Sequence, residues 1–137
     1  MAAGYSKTPL ARKLGLRAGD RLVLLDAPDG WSVPEPPAGV EEARESTGNS
    51  EAAADLVLAF CTTLAALEDA VRTQSSRIFP AGGLWIAWPR RAGGHRSEVT
   101  ENDIRAVALP LGLVDVKVAA LDEGWSGLRL VWRRENR

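Results

Sequence analysis

Seven residues of this 137-residue chain stand where chemistry could be done: Asp26, Cys61, Thr62, Thr63, Trp88, Arg90 and Arg91. Each closes or follows a short apolar run that reads as a buried strand. Open α/β sheets bind ligands beyond the carboxyl ends of their strands, so the seven form the candidate binding edge. Arg90 and Arg91 suit a phosphate or an acidic partner, and Trp88 supplies apolar surface beside them. A thiol such as Cys61 next to a helix start can have a lowered pKa, yet the residue type favours a small buried hydrophobe over a nucleophile. His95 lies in a glycine-containing loop and reads as solvated. Asp122 and Glu123 form an acid pair set among turn residues. No Ser/His/Asp order suggests itself, and no catalytic residue is assigned.

The basic residues Arg129, Arg133, Arg134 and Arg137 cluster near the end of the chain. Arg129 and Arg133 share one strand face, and Asp115 and Lys117 share a face of the preceding strand. Cross-strand ion pairing between the two sets is the expected account.

Composition narrows the function classes. One Cys and one His exclude an intrachain disulfide framework and a Cys/His zinc cage, so no metal site is expected. A net charge of -1 with pI about 5.9 provides no global field towards nucleic acid or anionic membrane. No apolar run is long enough to span a bilayer, and the first sixteen residues lack the apolar core of a signal peptide. The expectation is a single cytoplasmic α/β domain over residues 1–137, since the length excludes a multi-domain enzyme.

The elements that must position the edge follow from punctuation and period. Thr8-Pro9 opens a short helix that Gly15 stops. Arg21 to Asp26 is a first strand. Residues 29–52 carry Pro34, Pro36 and Pro37 and six acidic residues against Arg44 alone. That stretch is expected to be a mobile Pro-rich acidic loop, or to contain a short edge strand near Gly39-Val40. Asp55 to Phe60 is a second buried strand. Thr62 or Thr63 caps a helix with Leu64, Leu67 and Val71 on its inner stripe. Leu84 to Trp88 is a third strand, with Trp85 and Trp88 on opposite faces because their offset is odd. Thr100 and Asp103 form a capping-box pattern before Ile104, Val107 and Leu111, and Gly112 stops that helix. Val114 to Leu121 and Leu128 to Arg133 read as a hairpin closed by residues 122–127. Alternating strands and helices imply a Rossmann-like mixed sheet, with parallel strands, crossover helices and a C-terminal antiparallel hairpin. Both crossover helices should share one face. The opposite apolar face then needs Leu10, Leu14 and Leu16 as its cover, with any remainder closed by a partner or a second copy.

From Asp55 onward the order of elements resembles the second half of class I methyltransferases, in which the last strand inserts between its two predecessors. That resemblance implies a glycine-rich turn after the first strand and an acid at the end of the second to hold a ribose. Asp26-Ala27-Pro28-Asp29-Gly30-Trp31 stands at the first place, and no residue stands out for the second. The missing glycines exclude a dinucleotide site as well. Tyr5 to Leu10, Gly19 to Pro28, Trp85 to Arg91 and Gly112 to Leu128 together resemble an uncharacterised bacterial family of short domains, which implies no activity. In that family's pattern a short basic or apolar strand is expected where Glu41 to Glu45 stands here.

Three functional readings follow. The first is a non-catalytic binding or regulatory protein that uses no cofactor. The second is a degenerate or atypical S-adenosylmethionine-dependent enzyme. The third is a protein-interaction module using an apolar sheet face. A protein partner or self-association is expected, and neither a specific nucleic acid nor a membrane.

Overall fold

The computed structural model describes residues 8–46, 50–90 and 98–137. A six-stranded sheet has the order β2-β1-β3-β4-β6-β5, with β1 at Arg21–Leu25, β2 at Glu41–Glu45, β3 at Leu56–Phe60, β4 at Gly83–Pro89, β5 at Leu113–Ala120 and β6 at Trp125–Trp132. β2, β1, β3 and β4 are parallel, and β6 runs antiparallel between β4 and β5. The Rossmann-like mixed architecture is therefore as expected, including the last strand's insertion between its predecessors.

Residues 29–52 are not a loop throughout. β2 lies within them and pairs with β1 from Arg21↔Glu41 to Leu25↔Glu45. Of the two expectations the edge strand holds, just beyond Gly39-Val40, because an edge strand needs only one inward apolar residue, here Ala43, once its neighbour supplies the hydrogen bonds.

One face of the sheet packs against α2 (Leu64–Gln74) and α3 (Glu101–Ala108). Val23, Val57, Leu84, Ile86, Leu128 and Leu130 meet Leu67, Val71, Ile78 and Ile104 there. Thr63 caps α2 by accepting from the Ala66 N–H at 3.1 Å. Thr100 and Asp103 make the reciprocal capping box of α3. The helical patterns run on as 3₁₀ turns, Ser75–Ile78 after α2 and Leu109–Leu111 after α3, and Gly112 ends the latter in the left-handed conformation.

The other face is covered by α1 (Leu10–Leu14), Leu16 and Val33, which pack on Leu22, Leu24, Leu56, Leu58 and Trp85. Pro9 takes the N-cap position of α1, and Gly15 closes it with φ 78°. Trp85 is fully buried on this face. Trp88 is half-buried on the helix face, as the odd offset requires.

The hairpin departs from expectation in two ways. Trp125, Ser126 and Gly127 belong to β6, so the connection is only residues 121–124. A bulge between Asp115 and Lys117 also breaks the alternation: Asp115 lies opposite Leu130, and Lys117 opposite Arg129. The two side chains therefore serve opposite faces, and the expected cross-strand ion pairs do not form. Asp115 instead accepts from Arg105 Nε of α3 at 2.9 Å, which holds its carboxyl below the usual range. Arg129 and Lys117 donate to α1, and Arg133, past the end of β6, meets Glu135 at 3.9 Å. No helix among the described residues is long and apolar enough to cross a membrane.

Candidate functional site

The chain leaves β1 towards β2 on one side and returns to β3 on the other. The topological switch point therefore lies between the carboxyl ends of β1 and β3. Six of the seven sequence-derived edge residues can be placed relative to it; Arg91 lies outside the described residues, as does His95.

Asp26 follows β1 directly. Its backbone takes φ 55°, the left-handed conformation that a glycine would adopt freely, and its N–H donates to the Glu45 carbonyl at 2.8 Å. Cys61 follows β3, is buried, and its N–H donates to the Ala87 carbonyl at 2.8 Å. Burial, with Asp26 and Asp69 nearby, pushes the thiol up from 9.0 to about 12. It is a protonated core residue at neutral pH, and a nucleophilic role has no support. Thr62 is exposed, and Thr63 is committed to capping α2. Trp88 lies at the end of β4 opposite Ser126. Arg90 is turned towards the hairpin, where Nη1 donates to the Asp122 carbonyl at 2.9 Å. Trp88 and Arg90, the aromatic and basic members placed here, thus meet different neighbours.

An aromatic cluster fills the other side of the same edge, and it was not anticipated. Phe60 ends β3, and its ring meets Trp31 and Trp125 edge-on, each at a centroid distance of 4.9 Å. Trp31 is carried there by the segment leaving β1. Its Nε1 donates to Asp122 Oδ2 at 2.9 Å. Arg44 of β2 donates to the Trp31 carbonyl and, at 3.1 Å, to the Pro28 carbonyl. Asp122 is thereby a turn-former and strap: its Oδ1 accepts from the Gly124 and Trp125 N–H groups, each at 2.8 Å.

Glu45 is the second unanticipated residue. It ends β2, where the methyltransferase resemblance implies an acid for a ribose. Its carboxylate is engaged by fully buried Arg77, with Nη1 at 2.8 Å from Oε1 and Nη2 at 3.1 Å from Oε2. Arg77 Nε also donates to the Ala52 carbonyl at 2.7 Å, and Nη1 to Gln74 Oε1 at 3.0 Å. No sequence signal marks Arg77, which sits in a 3₁₀ turn beyond the periodic part of the helix. The acid at Glu45 could have been found once β2 was recognised as a strand.

Among the described residues no cluster of three His, Cys, Asp or Glu is arranged to hold a metal ion. A cofactor such as S-adenosylmethionine needs close backbone approach after β1 and an acceptor at the end of β2. The first place carries the Asp26 side chain and Pro28, and the second carries a carboxylate bound to Arg77. The residues present do not fit that cofactor in the manner the resemblance implies.

No family model matches the chain, and no curated protein matches it. Solved structures do. A TehB-like S-adenosylmethionine-dependent methyltransferase from Corynebacterium glutamicum aligns over 96% of this chain and 91% of its own, at 13% identity and TM-score 0.58. A S-adenosylmethionine-dependent methyltransferase from Aquifex aeolicus aligns over 88% and 86%, at 10% identity and TM-score 0.59. Aeropyrum pernix fibrillarin with natively bound S-adenosylmethionine aligns over 89% and 73%, at 14% identity and TM-score 0.56. The fold is methyltransferase-like.

Proposed function

We propose that this chain is a non-catalytic binding or regulatory protein built on the methyltransferase-like fold. The observation that carries the reading is the bidentate Glu45–Arg77 pair. A buried arginine left without its carboxylate is costly, so Glu45 is not free to turn to a ribose. The Asp26-Ala27-Pro28 turn supports the same reading. Its left-handed residue bears a side chain where the cofactor would need bare backbone. The strapped Trp31 ring over Phe60 adds rigidity to that edge. The role is placed in the cytoplasm, in a chain of the short bacterial family that the Trp85 to Arg91 and Gly112 to Leu128 patterns resemble. A protein partner is its proposed means of action.

A second reading is favoured by one finding: a fold-mate, the Aeropyrum fibrillarin, carries natively bound S-adenosylmethionine. On that reading the chain would be an atypical S-adenosylmethionine-dependent enzyme. Calorimetric titration of the full chain with S-adenosylmethionine separates the two. No saturable heat is expected. A low-micromolar Kd, about −8 kcal/mol, would overturn the non-catalytic reading.

A further inference from the structure

Arg129 of β6 is half-buried and forms no ion pair with any described residue. Its Nη1 donates to the Leu14 carbonyl at 2.8 Å. The guanidinium lies in a slot that two glycines leave open. A Cβ on Gly83 would stand 2.8 Å from Nε and 2.9 Å from Nη2, and one on Gly15 would strike Nη1. The slot holds the guanidinium in place while Nε and Nη2 have no acceptor among the described residues. Burial, with Arg17 close by, holds its pKa below the ordinary arginine value. An arginine remains charged even so, and Asp20, near enough to favour that charge without forming an ion pair, offsets its partial desolvation only in part.

This guanidinium borders a cavity of about 500 Å³ at the amino-terminal edge of the sheet. Arg17 and Arg21 are on the same wall, and neither is in an ion pair with a described residue. The two carboxylates of the wall are already engaged by backbone. Asp20 accepts from the Arg17 N–H and Asp55 from the Arg21 N–H, each at 2.8 Å. Arg77 also borders the cavity but is held by Glu45. The cavity also has an apolar lining from Ile78, Pro80 and Phe79, the last 48% exposed.

We infer that this cavity binds a small organic phosphate, with the phosphate on Arg129, Arg17 and Arg21 and the organic part against Phe79 and Pro80. Forked guanidinium donors suit the several oxygens of a phosphate better than a single carboxylate. The volume falls in the range of small-molecule sites. The cavity is at the opposite edge of the sheet from the switch point, so its occupancy is independent of whether S-adenosylmethionine binds there.

The test is calorimetric titration of the full chain with AMP, ribose 5-phosphate and inorganic phosphate. Saturable binding of AMP or ribose 5-phosphate, tighter than that of inorganic phosphate, is expected. The preferred compound then tells a nucleotide from a sugar phosphate. Arg129→Met should abolish the binding. Because Arg129 also supports α1, the double variant Arg17→Ala/Arg21→Ala provides the second arm. Its side chains are exposed, so its melting temperature should be unchanged while affinity falls about tenfold or more. The inference is overturned by no saturable binding of any of the three at millimolar concentration. It is equally overturned by inorganic phosphate binding as tightly as the esters, or by unchanged affinity in the double variant.

Discussion

The two faces of the sheet are covered by different means. On one face, α2 and α3 bring an apolar stripe and satisfy their own backbone polar groups, with Thr63 and Thr100 completing the ends. On the other, the cover is a five-residue helix and an irregular segment. Such a cover satisfies only its first carbonyls from its own backbone, those of Pro9, Ala11 and Arg12, and side chains serve the last ones. Trp85 Nε1 and Arg129 Nη1 both donate to the Leu14 carbonyl, at 3.0 and 2.8 Å. Lys117 Nζ donates to the Lys13 carbonyl at 3.0 Å, and Arg44 holds the Trp31 and Pro28 carbonyls. The helix face borrows a sheet donor at one helix end, where Trp132 Nε1 donates to the Ser75 carbonyl at 2.8 Å, whereas the short cover borrows several.

The contrast can be broken most severely by deleting residues 1–16. The face lined by Leu22, Leu24, Leu56, Leu58 and Trp85 would then lose α1 and Leu16. Loss of cooperative unfolding or aggregation is the expected result, followed by circular dichroism and light scattering. A monomeric truncation with an unchanged melting temperature would show that α1 is not the essential cover.

On the helix face, the corresponding weak point is where the helices stop and Arg77 takes over beside β2. Arg77→Met strands Glu45 and removes the hydrogen bonds of Arg77 to three side chains, Glu45, Gln74 and Ser50, and to the Ala52 carbonyl. A loss of about 3–5 kcal/mol is expected in chemical denaturation. Hydrogen exchange in β2 should rise with it, because Glu45 ties that strand to the helix face.

The borrowed-donor idea has a finer test. Trp85→Phe keeps most of the buried ring and removes the Nε1 donor to Leu14. About 1 kcal/mol should be lost, and early exchange should appear in α1 rather than in α2. Equal labelling of both helices would argue that the two covers are anchored alike.

The smallest effect at neutral pH is the loss of stability from ionising Cys61, which sets in only above pH 9.0. Cys61 on the helix face has a folded pKa raised from 9.0 to about 12. Protonated thiol is favoured by the fold, so this contribution is fully present below pH 9.0 and is lost as pH rises towards about 12. Stability should therefore decline more steeply above pH 9.0 in the native chain than in Cys61→Ala. Parallel denaturation curves at pH 7 and pH 10 would detect the difference in slope. A disulfide reagent at pH 8 should leave the thiol unmodified in the folded protein.

Much of the fold is legible because its signals are local. The buried strands β1, β3 and β4 read as short apolar runs, Thr100 and Asp103 announce α3, and Gly15 and Gly112 mark helix ends. β2 is not legible in that way. Glu41 to Glu45 has the composition of a solvated loop, and its strand conformation depends on the unpaired edge of β1. The bulge at Val116 is likewise invisible to an alternation rule, yet it sends Asp115 to Arg105 and Lys117 to α1. The candidate edge shows the same division. Asp26, Cys61, Thr62, Thr63 and Trp88 could be placed at strand ends from their position after apolar runs. The contacts that shape the surrounding edge could not, because Glu45 meets Arg77, and Trp31 meets Phe60 and Asp122, over long separations in the chain.

By itself, the sequence determined the order of elements and which strands must be buried on both sides, since hydrophobic period and capping chemistry act over a few residues. It also determined that α2 and α3 share a face, through the handedness of the crossovers. Beyond the helix caps at Thr63 and Thr100, only the tertiary structure decided what the polar side chains meet. Glu45 is held by Arg77 over a separation of 32 residues, and Arg129 reaches the Leu14 carbonyl over 115. Such contacts depend on register, a bulge and the space left by two glycines, and each is a consequence of packing rather than of neighbouring sequence.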